Sequence, residues 1–125
     1  MICKSNKIVM TSAASLTNLA AERQLDLLFD SDRTICIPDE ILFEATEKQS
    51  WMNDVAPTPD EIYLREWVSI HQKSGRVVCL ETFVGQSAMD GRKSGKLTPQ
   101  NYPANLGELC ADSVHLERLR KCRPP

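Results

Sequence analysis

The chain has 125 residues, 42% of them hydrophobic and 26% charged, which excludes a disordered composition and gives a soluble domain with a single core. A net charge of −2 gives no global attraction to nucleic acid, and no apolar run reaches the roughly 18 residues of a membrane span. Charges but no apolar stretch precede Lys7, so a secretory leader is not expected, and the expected compartment is the cytoplasm.

Lys7 to Thr11 is expected to be the first strand. Leu16, Leu19, Ala20, Leu27 and Leu28 recur at helical spacing and predict a helix over 15–29, turning at Asp30-Ser31-Asp32. Thr34 to Ile37 is short and apolar, the pattern of a strand buried on both faces. Pro38 and Asp39 open the next helix, with Ile41, Leu42 and Ala45 facing inward. Residues 50–57 read as a loop, in which Trp51 has no assigned role. Thr58-Pro59-Asp60-Glu61 is a strong helix start: Thr58 caps, Pro59 fits the first position and Glu61 closes a capping box. The buried face of that helix is expected to run through Ile62, Tyr63, Trp67, Ile70 and His71, and Lys73-Ser74-Gly75 ends it. Val77 to Glu81 predicts a third strand, and residues 82–92 a helix packed through Val84 and Ala88. Gly95 to Ala104 is a loop, after which Asn105 caps a last helix through Leu106, Leu109, Cys110, Val114 and Leu119.

The order β-α-β-α-α-β-α-α argues for an α/β fold with a mainly parallel central sheet flanked by helices. The last helix should lead into a fourth parallel strand, but Lys121-Cys122-Arg123-Pro124-Pro125 follows it. The sheet is therefore expected to lack its last one or two strands and to leave an edge that a second copy or a partner can cover.

The five cysteines are irregularly spaced without a CxxC pair, and Cys36, Cys79 and Cys110 read as buried thiols acting as small hydrophobes. His71 and His115 fall on separate helices, so neither zinc nor a Cys–His pair has local support. The clusters Arg92, Lys93, Lys96 and Arg118, Arg120, Lys121, Arg123 read as solvated faces. Ser12 and Ser15 have no GxSxG frame and read as helix caps, while Gly85, Gly91 and Gly95 form no phosphate-binding loop.

Metal-dependent phosphodiester cleavage needs carboxylates that converge on a divalent cation from the carboxyl ends of adjacent strands. Glu44 after the second strand, Glu81 at the end of the third and Glu108 at the start of the last helix stand at such positions, with Asp112 a further candidate. Ile8-Val9-Met10, Leu16-Thr17-Asn18-Leu19-Ala20, Leu25-Asp26-Leu27-Leu28-Phe29, Ile37-Pro38-Asp39-Glu40-Ile41 with Glu44, and Asn105-Leu106-Gly107-Glu108 resemble successive blocks of the PIN-domain family. These are small ribonucleases best known as toxins of bacterial toxin–antitoxin pairs. The resemblance covers residues 7 to about 112 of a single domain spanning 1–125, and residues 113–125 depart from it.

The resemblance implies a three-layer PIN-like domain and an endoribonuclease that uses Mg²⁺ or Mn²⁺. Glu44 and Glu108 would be its catalytic, metal-binding carboxylates, and Asn18 and Ser12 would line the substrate site. RNA is the implied substrate, and an antitoxin protein and a second copy of the chain are the implied partners. Two positions depart from the family. Its first Asp falls on Ser12 or, in the other alignment, on Thr11, and its last acidic residue follows a strand not found here. A neutral hydroxyl is a poor ligand for a hard cation, so weak or absent cleavage is expected. A non-catalytic PIN-like binding module and a decayed gene product remain as alternatives.

Overall fold

The computed structural model describes residues 7–30 and 33–121, with side chains as far as Val114. The expected turn residues Ser31 and Asp32, the side chains of His115 and Leu119, Cys3, Cys122 and the basic C-terminal cluster lie outside the described part.

Strands β1 (Lys7–Val9), β2 (Thr34–Pro38) and β3 (Val77–Leu80) form a parallel sheet in the order β1-β2-β3. Lys7 pairs with Thr34 and Val9 with Cys36; Ile35 pairs with Val77 and Pro38 with Leu80. β2 is the centre, and its Ile35, Cys36, Ile37 and Pro38 are all buried, as expected for a strand covered on both faces. β1 is shorter than its sequence run, although Met10 extends the ladder by donating its N–H to the Cys36 carbonyl at 2.9 Å. A fourth strand is not among the described residues. There β1 has one strand partner, and Ile8 and Val9 are only half-buried. Strand order equals chain order, so these three strands contain no reversal and no crevice of the kind a reversal creates.

The helix expected over 15–29 is two elements. α1 (Ala13–Ala21) starts at Ser12, whose hydroxyl accepts the Ser15 N–H at 3.4 Å, and the chain then turns at Arg23, with φ of 57°. A left-handed arginine cannot continue a helix. It is held there by guanidinium hydrogen bonds to the Ala20 carbonyl and Asp60 and by stacking on Tyr63. A short 3-10 helix (Leu25–Phe29) follows, burying Leu25 and leaving Leu27 exposed. The leucine spacing that suggested one helix spans this break.

α2 (Asp39–Thr46) begins directly after β2 and packs against α1 and the four later helices α3 (Lys48–Asn53), α4 (Pro59–Lys73), α5 (Phe83–Ser94) and α6 (Leu106–Lys121). Crowding on so many sides explains why Glu40, Ile41, Phe43, Ala45 and Thr46 are all buried. α3 takes up part of the expected loop at 50–57, and Trp51 packs edge-on against Phe43 and Tyr102, ring centroids 5.8 and 5.7 Å away. α4 carries the expected capping box, with Glu61 N–H to the Thr58 hydroxyl at 3.2 Å and Thr58 N–H to the Glu61 carboxylate at 2.9 Å. Its core face is rotated from the expected one. Glu61, Leu64, Trp67 and Val68 are buried, whereas Ile62 and Ile70 are exposed. Ala88 of α5 is buried as expected, and Gly95, with φ of 81°, ends that helix.

The main core joins Leu16, Leu25, Ile35, Ile37, Ile41, Leu64, Trp67 and Val77 across α1, the sheet, α2 and α4. Of the described cysteines, Cys36 and Cys110 are buried and Cys79 half-buried. No helix among the described residues is long and apolar enough to cross a membrane.

Candidate functional site

Two carboxylates of α2 each rest against a glycine in the first turn of a later helix. Asp39 reaches α5. Its Oδ1 accepts the Thr82 hydroxyl at 2.8 Å, the Cys110 thiol at 3.2 Å and the Glu40 N–H at 2.9 Å. Its Oδ2 accepts the Thr82 N–H at 3.0 Å and the Gln86 amide at 3.2 Å. Thr82 is itself the cap of α5, accepting the Gly85 N–H at 2.8 Å. A side chain at Gly85 would overlap the Asp39 carboxylate, so only glycine lets the two helices meet this way. Burial acts to raise the Asp39 pKa. The bonds from Thr82, Cys110 and Gln86 together outweigh it and hold the carboxyl below its ordinary value. Burial pushes the Cys110 thiol up to about 11, so at neutral pH it keeps its proton.

Glu44, one turn further along α2, reaches α6. Its Oε2 accepts the Gly107 N–H at 3.1 Å and the Tyr102 hydroxyl at 2.7 Å, and a side chain at Gly107 would overlap the carboxylate. An anion at the start of a long helix satisfies an orphan N–H and meets the positive end of the helix dipole. Between the two seats lies Glu40, 1% exposed, which accepts Arg92 at 2.7 Å and the same Tyr102 hydroxyl at 2.6 Å. Arg92 therefore departs from the expected solvated cluster: it is a half-buried ion-pair partner of the buried Glu40, stacked over Phe43, whereas Lys93 and Lys96 are exposed. Burial, then the two neighbouring carboxylates, raise the Tyr102 pKa far above its ordinary value, so the phenol is a permanent donor.

Of the residues singled out in the sequence, Ser12 caps α1, and Asn18, Glu81, Glu108 and Asp112 are exposed. Glu44 is half-buried and lines a cleft of about 490 Å³ with Ala13, Ala14 and Thr17 of α1, Lys48 and Gln49 of α3, and Thr58 of α4. Glu108 follows Gly107, so it leaves the same helix end that Glu44 caps. Glu81 belongs elsewhere, in a second cavity shared with Asp39, Glu40 and Arg92. Among the described residues no group of three or more Asp, Glu, His or Cys is arranged to hold a metal ion. Mg²⁺, however, is commonly held by one or two carboxylates, with waters and substrate phosphate oxygens filling the octahedron. Glu44 has that donor chemistry, whereas Glu108, though next to Gly107, is exposed and is not among the residues lining the Glu44 cleft.

Sequence reasoning gave Asp39 only a helix start and Arg92 a solvated face, and gave Glu40, Thr82 and Tyr102 no site role. A signal existed for Thr82, which precedes a helix and has Gly85 three residues on. None existed for Tyr102, whose two carboxylate partners lie 58 and 62 residues away. No family model, no curated protein and no solved structure matches this chain.

Proposed function

We propose that this chain is a PIN-like domain of the toxin type, in a cytoplasmic setting, and a Mg²⁺- or Mn²⁺-dependent endoribonuclease whose reduced carboxylate set makes cleavage weak. The reading rests on the resemblance of the sequence blocks. The observation that carries it is the convergence on one cleft of Glu44, the first turn of α1 after β1 and Lys48, with the start of α6 held against Glu44 by the Gly107 N–H. A bound Mg²⁺ or Mn²⁺ supplies Lewis acidity toward the phosphodiester. Glu44 and Glu108 would hold it, Lys48 and Thr17 would meet the RNA backbone, and the Gly107 N–H orients Glu44. Ser12 spends its hydroxyl on the α1 cap and brings no charge, so a cation held there would lack one charged ligand.

A second reading, a non-catalytic module that keeps an RNA or antitoxin surface, is favoured by the two donors already engaged on Glu44. One experiment separates the two: structured RNA and Mn²⁺ with the parent chain, Glu108→Gln and Ser12→Asp. The enzyme reading expects slow Mn²⁺-dependent cleavage by the parent, loss in Glu108→Gln and a gain of tenfold or more in Ser12→Asp, on the order of the effect of a restored charged ligand. No cleavage by any of the three overturns the enzyme and leaves the binding module.

A further inference from the structure

We propose that the cavity between α2, α4, β3 and α5 binds a small zwitterion with an aliphatic body, an amino acid or a short peptide, whose carboxylate meets Arg65 and whose ammonium meets Glu81. This site goes beyond the ribonuclease reading and does not depend on it, since the cavity shares no lining residue with the Glu44 cleft.

The cavity measures about 490 Å³, within the range of small-molecule sites. Leu42 and Phe43 of α2, Val68 of α4, Leu80 of β3 and Met89 of α5 give it apolar walls. Ser69, Gln72 and Gln86 add neutral donors and acceptors. Walls of this kind take an apolar body and orient it through a few polar groups.

The charged groups of the cavity divide into engaged and uncommitted ones. Asp39 accepts its five hydrogen bonds, and Glu40 is paired with Arg92. Arg65 is different. Its Nη2 donates to the neutral Thr46 carbonyl at 3.0 Å, and the Glu47 carboxylate, 3.9 Å away, is beyond hydrogen-bond reach. Its Nε is the one buried side-chain nitrogen or oxygen without a hydrogen-bond partner among the described residues. A buried donor left unpaired costs free energy that an acceptor recovers, and a guanidinium matches a carboxylate through two parallel N–H groups. Glu81, directly after β3, is exposed and has no ion pair or side-chain hydrogen bond among the described residues. Four carboxylates and two guanidiniums line the cavity, so its field opposes a ligand of net negative charge. A zwitterion adds no net charge and meets both uncommitted groups, which selects it over phosphate.

The test titrates leucine into the full chain by isothermal calorimetry. Beside it run 4-methylpentanoate, which lacks the ammonium, 3-methylbutylamine, which lacks the carboxylate, and inorganic phosphate. Each truncated probe is expected to bind about tenfold more weakly than leucine. Arg65→Met should weaken leucine and 4-methylpentanoate about tenfold and leave the amine unchanged. Glu81→Gln, at an exposed position that the core does not need, should weaken leucine and the amine and leave 4-methylpentanoate unchanged. Met89→Trp fills the cavity with both charges in place and should abolish binding of all three, with circular dichroism confirming the fold of each variant. Dileucine, titrated in parallel, separates the two sources: the tighter of it and leucine identifies a peptide or a free amino acid. No saturable binding of leucine or dileucine at about 10 mM overturns the proposal. Equal loss of every probe in Arg65→Met, or phosphate binding more tightly than leucine, overturns it as well.

Discussion

The two ends of α2 use the same device with opposite consequences. At one end Asp39 accepts five hydrogen bonds and presses on Gly85; at the other Glu44 accepts two, one of them shared with Glu40, and presses on Gly107. Asp39 is a short side chain fixed by backbone, hydroxyl, thiol and amide donors, and it works as a rivet between α2, α5 and α6. Glu44 has one more methylene, a half-buried position and a cleft beside it, so it seats α6 and still has an open side. A carboxylate at a helix start is therefore structural or available according to how many of its lone pairs are already taken, and not according to the helix end alone.

The largest effect should come from Arg92, the cation standing between the two seats. Arg92→Ala leaves Glu40 buried with only the tyrosine, and unfolding stability should fall by about 3 kcal/mol, the cost of breaking a buried pair. A loss under about 1 kcal/mol in chemical denaturation would show that water reaches Glu40 freely.

The glycines sharpen the comparison next. Gly→Ala in a helix ordinarily stabilises by up to about 1 kcal/mol. Here both substitutions should destabilise, and unequally. Gly85→Ala should cost about 2 kcal/mol, because Asp39 cannot withdraw without losing its five donors. Gly107→Ala should cost about 1 kcal/mol or less, because the longer Glu44 can swing into the cleft. Equal losses would mean that Glu44 is as fixed as Asp39.

Acid gives a smaller, directional test. The Asp39 pKa lies below its ordinary value of 3.8, so the group favours folding at pH above that value. Its contribution is lost as pH falls through the lower, folded-state value. Denaturant midpoints followed from pH 5 to pH 2 should therefore drop less steeply in Asp39→Asn than in the parent. Parallel curves would remove Asp39 as the source.

Local chemistry made part of this legible in advance. The Thr58 capping box, the Ser12 cap and the doubly buried β2 are each written within a few residues, and each formed as expected. The break at Arg23 was not legible, since it depends on Asp60 and Tyr63, both far along the chain. The rotated face of α4 has a similar origin: Trp67 is oriented by the Asp26 carboxylate, 2.9 Å from its indole nitrogen, and stacks on Phe29. At the site, Glu44 and Gly107 were singled out separately, but their contact and the Tyr102 and Arg92 partners arise only when α5, α6 and the loop between them fold back on α2. The clustering of Arg92, Lys93 and Lys96 suggested a solvated face, and the pairing of a half-buried Arg92 with the buried Glu40 overrode it.

The measurement closest to the centre of this account sets the thermal unfolding of Asp39→Asn beside that of Glu44→Gln in the otherwise unchanged chain. Asp39→Asn should lose about 2 kcal/mol and Glu44→Gln about 0.5 kcal/mol, at roughly 3–5 °C in Tm per kcal/mol for a domain of this size. A clearly larger fall in Asp39→Asn is the predicted result. An equal or larger fall in Glu44→Gln would contradict it, making Glu44 the fixed rivet and leaving no available carboxylate at that end of α2.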